Sequence, residues 1–248
     1  MIASFFGTKG GTGTTALAVN LAAEMRRLTS RSTVIADLKT GPGDVSLFLG
    51  LRSPHTLLDL IDHQAWTDPG KVSHMVGRHR CGLHIIPAGE AYGRPAARDA
   101  EAVDQTIRCL AGLYDFVVLD VGSTLTTCAA TALQLSDIVM LIANPDVPCL
   151  RNLQRLVDAV KLAGVVGDRL RIVLNRAADS GVLSTAQIER VLGLPIAYSV
   201  TSDYRTIASA VNAGVPVSTL RRSPLGAQLE EVARALAGLL MPSARMSQ

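Results

Sequence analysis

The feature that most constrains this chain lies at its start. The apolar run Ile2–Phe6 passes directly into Gly7-Thr8-Lys9-Gly10-Gly11-Thr12-Gly13-Thr14-Thr15, and that loop passes directly into the helix-forming stretch Ala16-Leu17-Ala18-Val19-Asn20-Leu21-Ala22. Strand, glycine-rich loop and helix in this order make a phosphate-binding loop. Glycines let backbone N–H groups converge on an anion, and the helix N-terminus that follows adds unpaired donors and a partial positive charge. Thr8, Lys9, Gly10, Gly11, Thr12, Gly13, Thr14 and Thr15 are therefore the candidate phosphate-binding residues, with Thr15 placing its hydroxyl on Mg²⁺. The plain alternative is a glycine-rich turn without a ligand. A lysine beside Gly10, Gly11 and Gly13, set between strand and helix, speaks against it. The strict pattern G-x-x-x-x-G-K-[ST] nevertheless fails twice, because Thr8 stands where the first glycine belongs and Thr14 where the lysine belongs.

Beyond the loop, short β-rich runs alternate with helical stretches. The runs Ile2–Phe6, Thr33–Asp37, Leu83–Pro87, Phe116–Asp120, Ile138–Asn144, Leu170–Asn175 and Pro195–Val200 read as strands. Several are continuously apolar, as strands covered on both faces must be. Thr14–Arg27, Ala97–Leu113, Thr124–Leu135, Cys149–Leu162 and Ser184–Leu192 read as helices, the last opened by the capping box Ser184-Thr185-Ala186-Gln187. This alternation predicts an α/β fold, a doubly wound, mostly parallel β-sheet flanked by helices. Residues 1–241 are expected to form one domain, with 242–248 a frayed tail. Residues 51–80, irregular and interrupted by Pro54, Pro69 and Gly70, are expected to pack on one sheet edge, and Gly226–Leu240 reads as a final helix with Leu229, Val232, Ala233, Leu236 and Leu240 on one face.

Composition narrows the partners. Hydrophobic residues make up 48% and aromatic ones only 4%, so the core must be built from Ala, Val, Leu and Ile. A net charge of +3 neither demands nor forbids nucleic acid. No apolar run approaches the ~20 residues needed to span a bilayer, and the unbasic start Met1–Phe6 reads as a strand rather than a signal peptide. Cys81, Cys109, Cys128 and Cys149 form no C-x-x-C pair and read as small buried hydrophobes.

The loop sequence Lys9-Gly10-Gly11-Thr12-Gly13-Thr14-Thr15 resembles the deviant Walker A loop of the MinD/ParA family. Threonine in place of the second lysine is similar to the TadZ/CpaE pilus-assembly branch. The likeness extends along roughly residues 1–240. It takes in Val34–Lys39 with Gly43–Leu51, Tyr114–Gly122, Asn144-Pro145-Asp146, Val173–Arg176, and Ser202–Arg205 with Ala210–Pro216. The resemblance implies ATP and Mg²⁺ as cofactors and a homodimer in the ATP-bound state, with Lys9 reaching across to the second copy's nucleotide. It further implies pilus or secretion assembly proteins as partners, and a cytoplasmic location with recruitment to the inner face of the membrane or a cell pole through those partners. Relatives in that branch often carry a receiver-like domain ahead of the phosphate loop.

Five further residues carry the resemblance into chemistry. Asp37 and Asp120 each end an apolar strand, where an acid can hold Mg²⁺, and join Thr15 as candidate metal residues. Asn175 and Arg176 fall on the segment that recognises adenine in the family, although either also fits an ordinary strand end. Lys39 departs from the family's Asp-x-Asp, whose second acid helps position the attacking water. A lysine is a charged donor and cannot take a proton from water, so weak or absent hydrolysis is expected of a site whose candidate catalytic residues are Lys9, Asp37 and Lys39. Lys39 turned to solvent, with Asp44 substituting, is the other reading. A ParA-like DNA-partitioning ATPase and a MinD-like membrane-cycling regulator remain the alternatives. The first wants a basic stripe and the second a basic amphipathic tail. Arg221-Arg222 and the acid-bearing helix over 226–240 supply neither.

Overall fold

A computed structural model describes residues 1–39, 41–89, 100–165, 167–177 and 183–239. Strands β1 (Ile2–Gly7), β2 (Thr33–Asp37), β3 (Gly77–Arg78), β4 (His84–Ile86), β5 (Phe116–Gly122), β6 (Ile138–Ala143), β7 (Leu170–Ala177) and β8 (Ile196–Thr201) form one sheet in the order β3-β4-β2-β5-β1-β6-β7-β8. Every neighbouring pair is parallel except β3 with β4. Helices α1 (Thr14–Thr29), α2 (Val45–Phe48), α3 (Leu57–Asp62), α4 (Pro69–Met75), α5 (Ala100–Leu113), α6 (Thr127–Leu135), α7 (Val147–Leu162), α8 (Thr185–Leu192), α9 (Tyr204–Ala213) and α10 (Pro224–Leu239) connect and cover it.

The apolar strands lack alternation because both sheet faces are buried. In β1, Ile2 and Phe6 enter one core with residues of α5, α6 and α7, while Ala3 and Phe5 enter the other with residues of α1 and α10. The doubly wound parallel sheet expected from the sequence is thus present. The region over 51–80 lies at the sheet edge as expected, where the two-residue β3 runs antiparallel to β4 and leaves little open strand.

Helix starts differ from the sequence reading for a local reason. Thr126 caps α6 by accepting the Ala129 N–H, so that helix begins at Thr127 rather than Thr124. Asp146 caps α7 by accepting the Cys149 N–H, and Pro148 fits its first turn, so α7 begins at Val147 rather than Cys149. Pro224 opens α10 two residues before Gly226. Helix α9, not among the helices read from the sequence, is capped by Asp203, whose side chain accepts the Thr206 N–H, and buries only Ala210. Residues 97–99, Leu240 and the tail at 242–248 lie outside the described residues.

This arrangement fixes the site. Strand β1 is central, flanked by β5 and β6, so the loop after it opens at the carboxyl edge of the sheet, where α/β proteins bind ligands. Parallel register sets Asp37 of β2 directly beside Asp120 of β5 at that same edge.

Candidate functional site

The loop from Gly7 to Thr15 is held in shape by its own side chains and its neighbours. Thr8 N–H donates to Ile142 O at 2.9 Å. Thr12 Oγ1 donates to Lys9 O at 3.1 Å and lies 3.1 Å from Thr14 Oγ1. Gly11 and Gly13 adopt φ of +79° and +88°, a region open to glycine at little cost. Gly13 stands at the N-cap of α1 with no side-chain cap, and the first turn of α1 carries no acid, so that helix end offers its N–H groups to an incoming anion. A Cβ built on Gly10 or Gly11 meets no atom within 4 Å. Among the described residues the buried Thr8 Oγ1 has no hydrogen-bond partner. An open cradle, an orphaned hydroxyl and an uncapped helix end together suit a phosphate group.

Beside the loop stands a cluster the sequence only partly foretold. Asp37 and Asp120 are fully buried. Thr15 Oγ1 donates to Asp120 Oδ2 at 2.6 Å. Lys39 turns inward rather than to solvent, its Nζ donating to Thr15 Oγ1 at 2.6 Å and to Asp44 Oδ2 at 3.0 Å and lying 3.4 Å from Asp120 Oδ2. Burial and the neighbouring Asp120 charge push the Asp37 carboxyl up to about 7, against the pull of Lys39. Burial would lower the Lys39 pKa, but Asp120, Asp37 and Asp44 outweigh it and the net shift is upward.

The Asp37 shift has a consequence for stability. In the fold this carboxyl keeps its proton until about pH 7, whereas the unfolded carboxyl releases it near its ordinary 3.8. Between those values the unfolded state binds fewer protons, so this group makes the fold less stable as pH rises. The unliganded Asp37→Asn protein is expected to melt above the unmodified protein at about pH 8 and to lose that advantage towards about pH 4, with about 2–4 °C for each kcal/mol of relief. Melting curves whose difference does not change with pH contradict this.

Asn175 and Arg176 sit at the end of β7, beside a cleft of about 300 Å³ also lined by Gly13, Leu17, Asp203 and Tyr204. The sequence assigns Asn175 to an adenine edge. In the fold its amide nitrogen donates to Thr12 O at 2.7 Å, making it a buried strut of the phosphate loop, and a Cβ on Gly13 would strike that amide. Arg176 is exposed, with a left-handed φ of +56°. Asp203 and Tyr204, quoted in the sequence only as part of a family stretch, join the cleft; Tyr204 is 81% exposed at its rim.

Lys9 points outward and pairs with Asp146, Nζ to Oδ1 at 3.3 Å, with both side chains 40% exposed. The bond to Asp146 raises the Lys9 pKa. In the sequence Asp146 reads only as a loop residue. Its place immediately before a helix with proline in the first turn is the signal that marks a cap. Among the described residues no group of three or more His, Cys, Asp and Glu side chains is placed to hold a metal ion.

Comparison with known proteins bears on the fold. The ParA family ATPase of Chlorobium tepidum superposes with a TM-score of 0.88, at 23% identity, over 94% of this chain and 98% of that one. MinD of Pyrococcus horikoshii, solved as a complex with Mg-ADP, gives 0.79 at 22% identity over 97% and 98%. At these identities the likeness is one of fold. In sequence, the septum site-determining protein MinD of Thermotoga maritima is 23% identical over 94% of this chain and 87% of its own length. The fold is that of the MinD/ParA P-loop ATPases. A family described as cellulose biosynthesis protein BcsQ matches residues 1–162, well over half of the chain, and the chain belongs to that family.

Proposed function

We propose that this protein is an ATP-binding switch that dimerises around nucleotide and organises a membrane-associated assembly system, with binding rather than turnover as the functional event. The open cradle at Gly10 and Gly11, set at an uncapped helix N-terminus, carries this reading. In it, the deviant loop Thr8–Thr15 holds the phosphates, and Asn175 and Arg176 flank the adenine. Thr15, Asp37 and Asp120 carry hydroxyl and carboxylate oxygens of the kind Mg²⁺ accepts, but the Lys39 ammonium already stands against Thr15 and Asp120. Residues 1–241 act as one domain, since a single sheet runs from β1 to β8 and α10 packs on it.

The Thr14 loop supports the TadZ/CpaE branch and therefore a pilus or secretion system. The BcsQ family match supports a second reading, in which the same switch serves cellulose synthesis. Deleting the gene separates them by which product disappears, surface pili or cellulose. A DNA-partitioning role would call on Arg221 and Arg222, which line a cleft with Arg27 and Arg234 as well as Glu24, Glu230 and Glu231. Among the described residues no helix is long and apolar enough to cross a membrane. The proposed location is cytoplasmic, with recruitment to the inner membrane face or a pole by protein partners.

The test joins mass to mutation. Exposed ion pairs contribute little to folding, so Lys9 can leave Asp146 readily and reach a second copy's phosphates. With ATP, the unmodified protein is expected to double its mass by light scattering. Lys9→Ala should weaken that dimer about tenfold or more, the loss expected for one charged donor, and leave the melting temperature without nucleotide nearly unchanged. A monomer at saturating ATP, or equal dimerisation by both proteins, contradicts the dimeric switch.

A further inference from the structure

The cluster around Lys39 points beyond the established class. The residues that would hold a divalent ion already enclose a cation of the chain's own. Lys39 Nζ lies 2.6 Å from the Thr15 hydroxyl and 3.4 Å from Asp120 Oδ2. We infer that Lys39 is a tethered cation that takes the place of the divalent metal beside the nucleotide, so that the protein binds ATP without Mg²⁺. The inference rests on the ATP-binding reading above.

Three observations make the inward pose a built feature. First, the backbone clears a path for the stem. Gly122, at φ +78°, has no Cβ, and one placed there would come within 3.0 Å of Lys39 Cγ. Second, Lys39 caps a relay in which the ammonium donates to Thr15 Oγ1 and Thr15 Oγ1 donates to Asp120 Oδ2 at 2.6 Å. The hydroxyl thereby turns its proton to the carboxylate and its lone pair to the ammonium. Third, the site is acidic. Asp37 and Asp120 lie side by side in adjacent strands, both fully buried, and buried carboxylates that close call for a cation. Lys39 is the chain's own cation beside them, and an aspartate at this position would remove it and make an external cation necessary.

The arrangement also leaves a way for phosphate to enter. The Asp44 carboxylate, 55% exposed, is the outer partner of Lys39. Exposed ion pairs are weak, so a phosphate oxygen arriving over the loop can exchange with Asp44 while Thr15 and Asp120 keep the ammonium in place. A lysine ammonium is a compact point charge with three donors, well suited to phosphate. The ligand class this selects is a nucleoside triphosphate free of metal.

The test is ATP binding by titration calorimetry in EDTA and again in excess Mg²⁺, for the unmodified protein and for Lys39→Gln. The unmodified protein should bind within about threefold equally in both media. Lys39→Gln should lose about tenfold to a hundredfold in EDTA, the loss of one charged hydrogen bond, and regain most of it in Mg²⁺. Unmodified protein that binds ATP only with Mg²⁺ overturns the inference and leaves the switch reading standing. Binding in neither medium overturns both. Lys39→Gln that stays metal-independent shows that another group supplies the cation and also overturns it. Should Lys39→Gln fail to fold, Gly122→Ala, which crowds the lysine stem, is the second variant and should likewise shift binding towards Mg²⁺ dependence. The unmodified protein's behaviour in the two media decides the matter even without a variant.

Discussion

A Gly11→Val protein is expected to fold and to show no rise in melting temperature with ATP. The two halves of that result come from different physics. Gly11 has φ of +79°, and a Cβ there meets no atom of the protein within 4 Å. The fold therefore bears only the backbone cost of a β-branched residue in the left-handed region, roughly 1–2 kcal/mol. The space that Cβ and its methyls would fill is the space over the loop that a phosphate needs. A ligand at about a hundred times its Kd stabilises the fold by about 2.7 kcal/mol, which in a domain of this size is a shift of roughly 5–10 °C. That shift should vanish in Gly11→Val. Gly13→Ala is the contrasting control. A Cβ at Gly13 collides with the Asn175 amide that braces Thr12 O, so that variant should lose stability before any ligand is added. Thermal melts of the unmodified protein and both variants, with and without ATP, check this. An ATP-induced shift that persists in Gly11→Val would falsify the phosphate-cradle reading.

The contrast between Gly11 and Gly13 shows how far the sequence could carry the site. Strand, loop and helix were legible because their signals are local: an apolar run, clustered glycines, then a helix-forming stretch. Asp37 and Asp120 were legible as strand ends. Their side-by-side register was not, because β2 and β5 are separated by nearly 80 residues of chain and meet only through the sheet. The pose of Lys39 was left open between solvent and site for the same reason. It depends on the missing Cβ of Gly122, on a strand distant in sequence, and on the carboxylate pair that register creates. The bond from Asn175 to Thr12 O spans 163 positions and leaves no local trace, so its bracing of the loop could not be read beside the adenine-edge and strand-end readings. Helix α9 was missed although it is amphipathic and carries a start signal at Asp203 and a stop signal at Gly214.

The same geometry makes slow chemistry the last expectation. Phosphoryl transfer depends on charge positioned around the transferred group and on an oriented water. Thr14 is buried, and its hydroxyl lies against Thr12 Oγ1, so position 14 brings no ammonium to the phosphates. Position 39 brings an ammonium bound to Thr15 and Asp44, so no carboxylate stands there to orient water. Each loss costs on the order of 10²–10³ in rate, and the two need not multiply because they act on one transition state. In single-turnover experiments with labelled ATP, the unmodified protein should release phosphate well below about one per second, slower than the usual range for phosphoryl-transfer enzymes. Lys39→Asp restores the acid and removes the tethered cation together. It should therefore turn over faster than the unmodified protein, only when Mg²⁺ is present, and should melt lower without ligand because Asp37, Asp44, Asp120 and the new acid then share the site with no ammonium among them. Thr14→Lys added to that variant should raise the rate further. Phosphate release by the unmodified protein at about one per second or faster would mean that another group supplies the missing charge. A Lys39→Asp rate that is unchanged in Mg²⁺ would mean that position 39 does not govern the water.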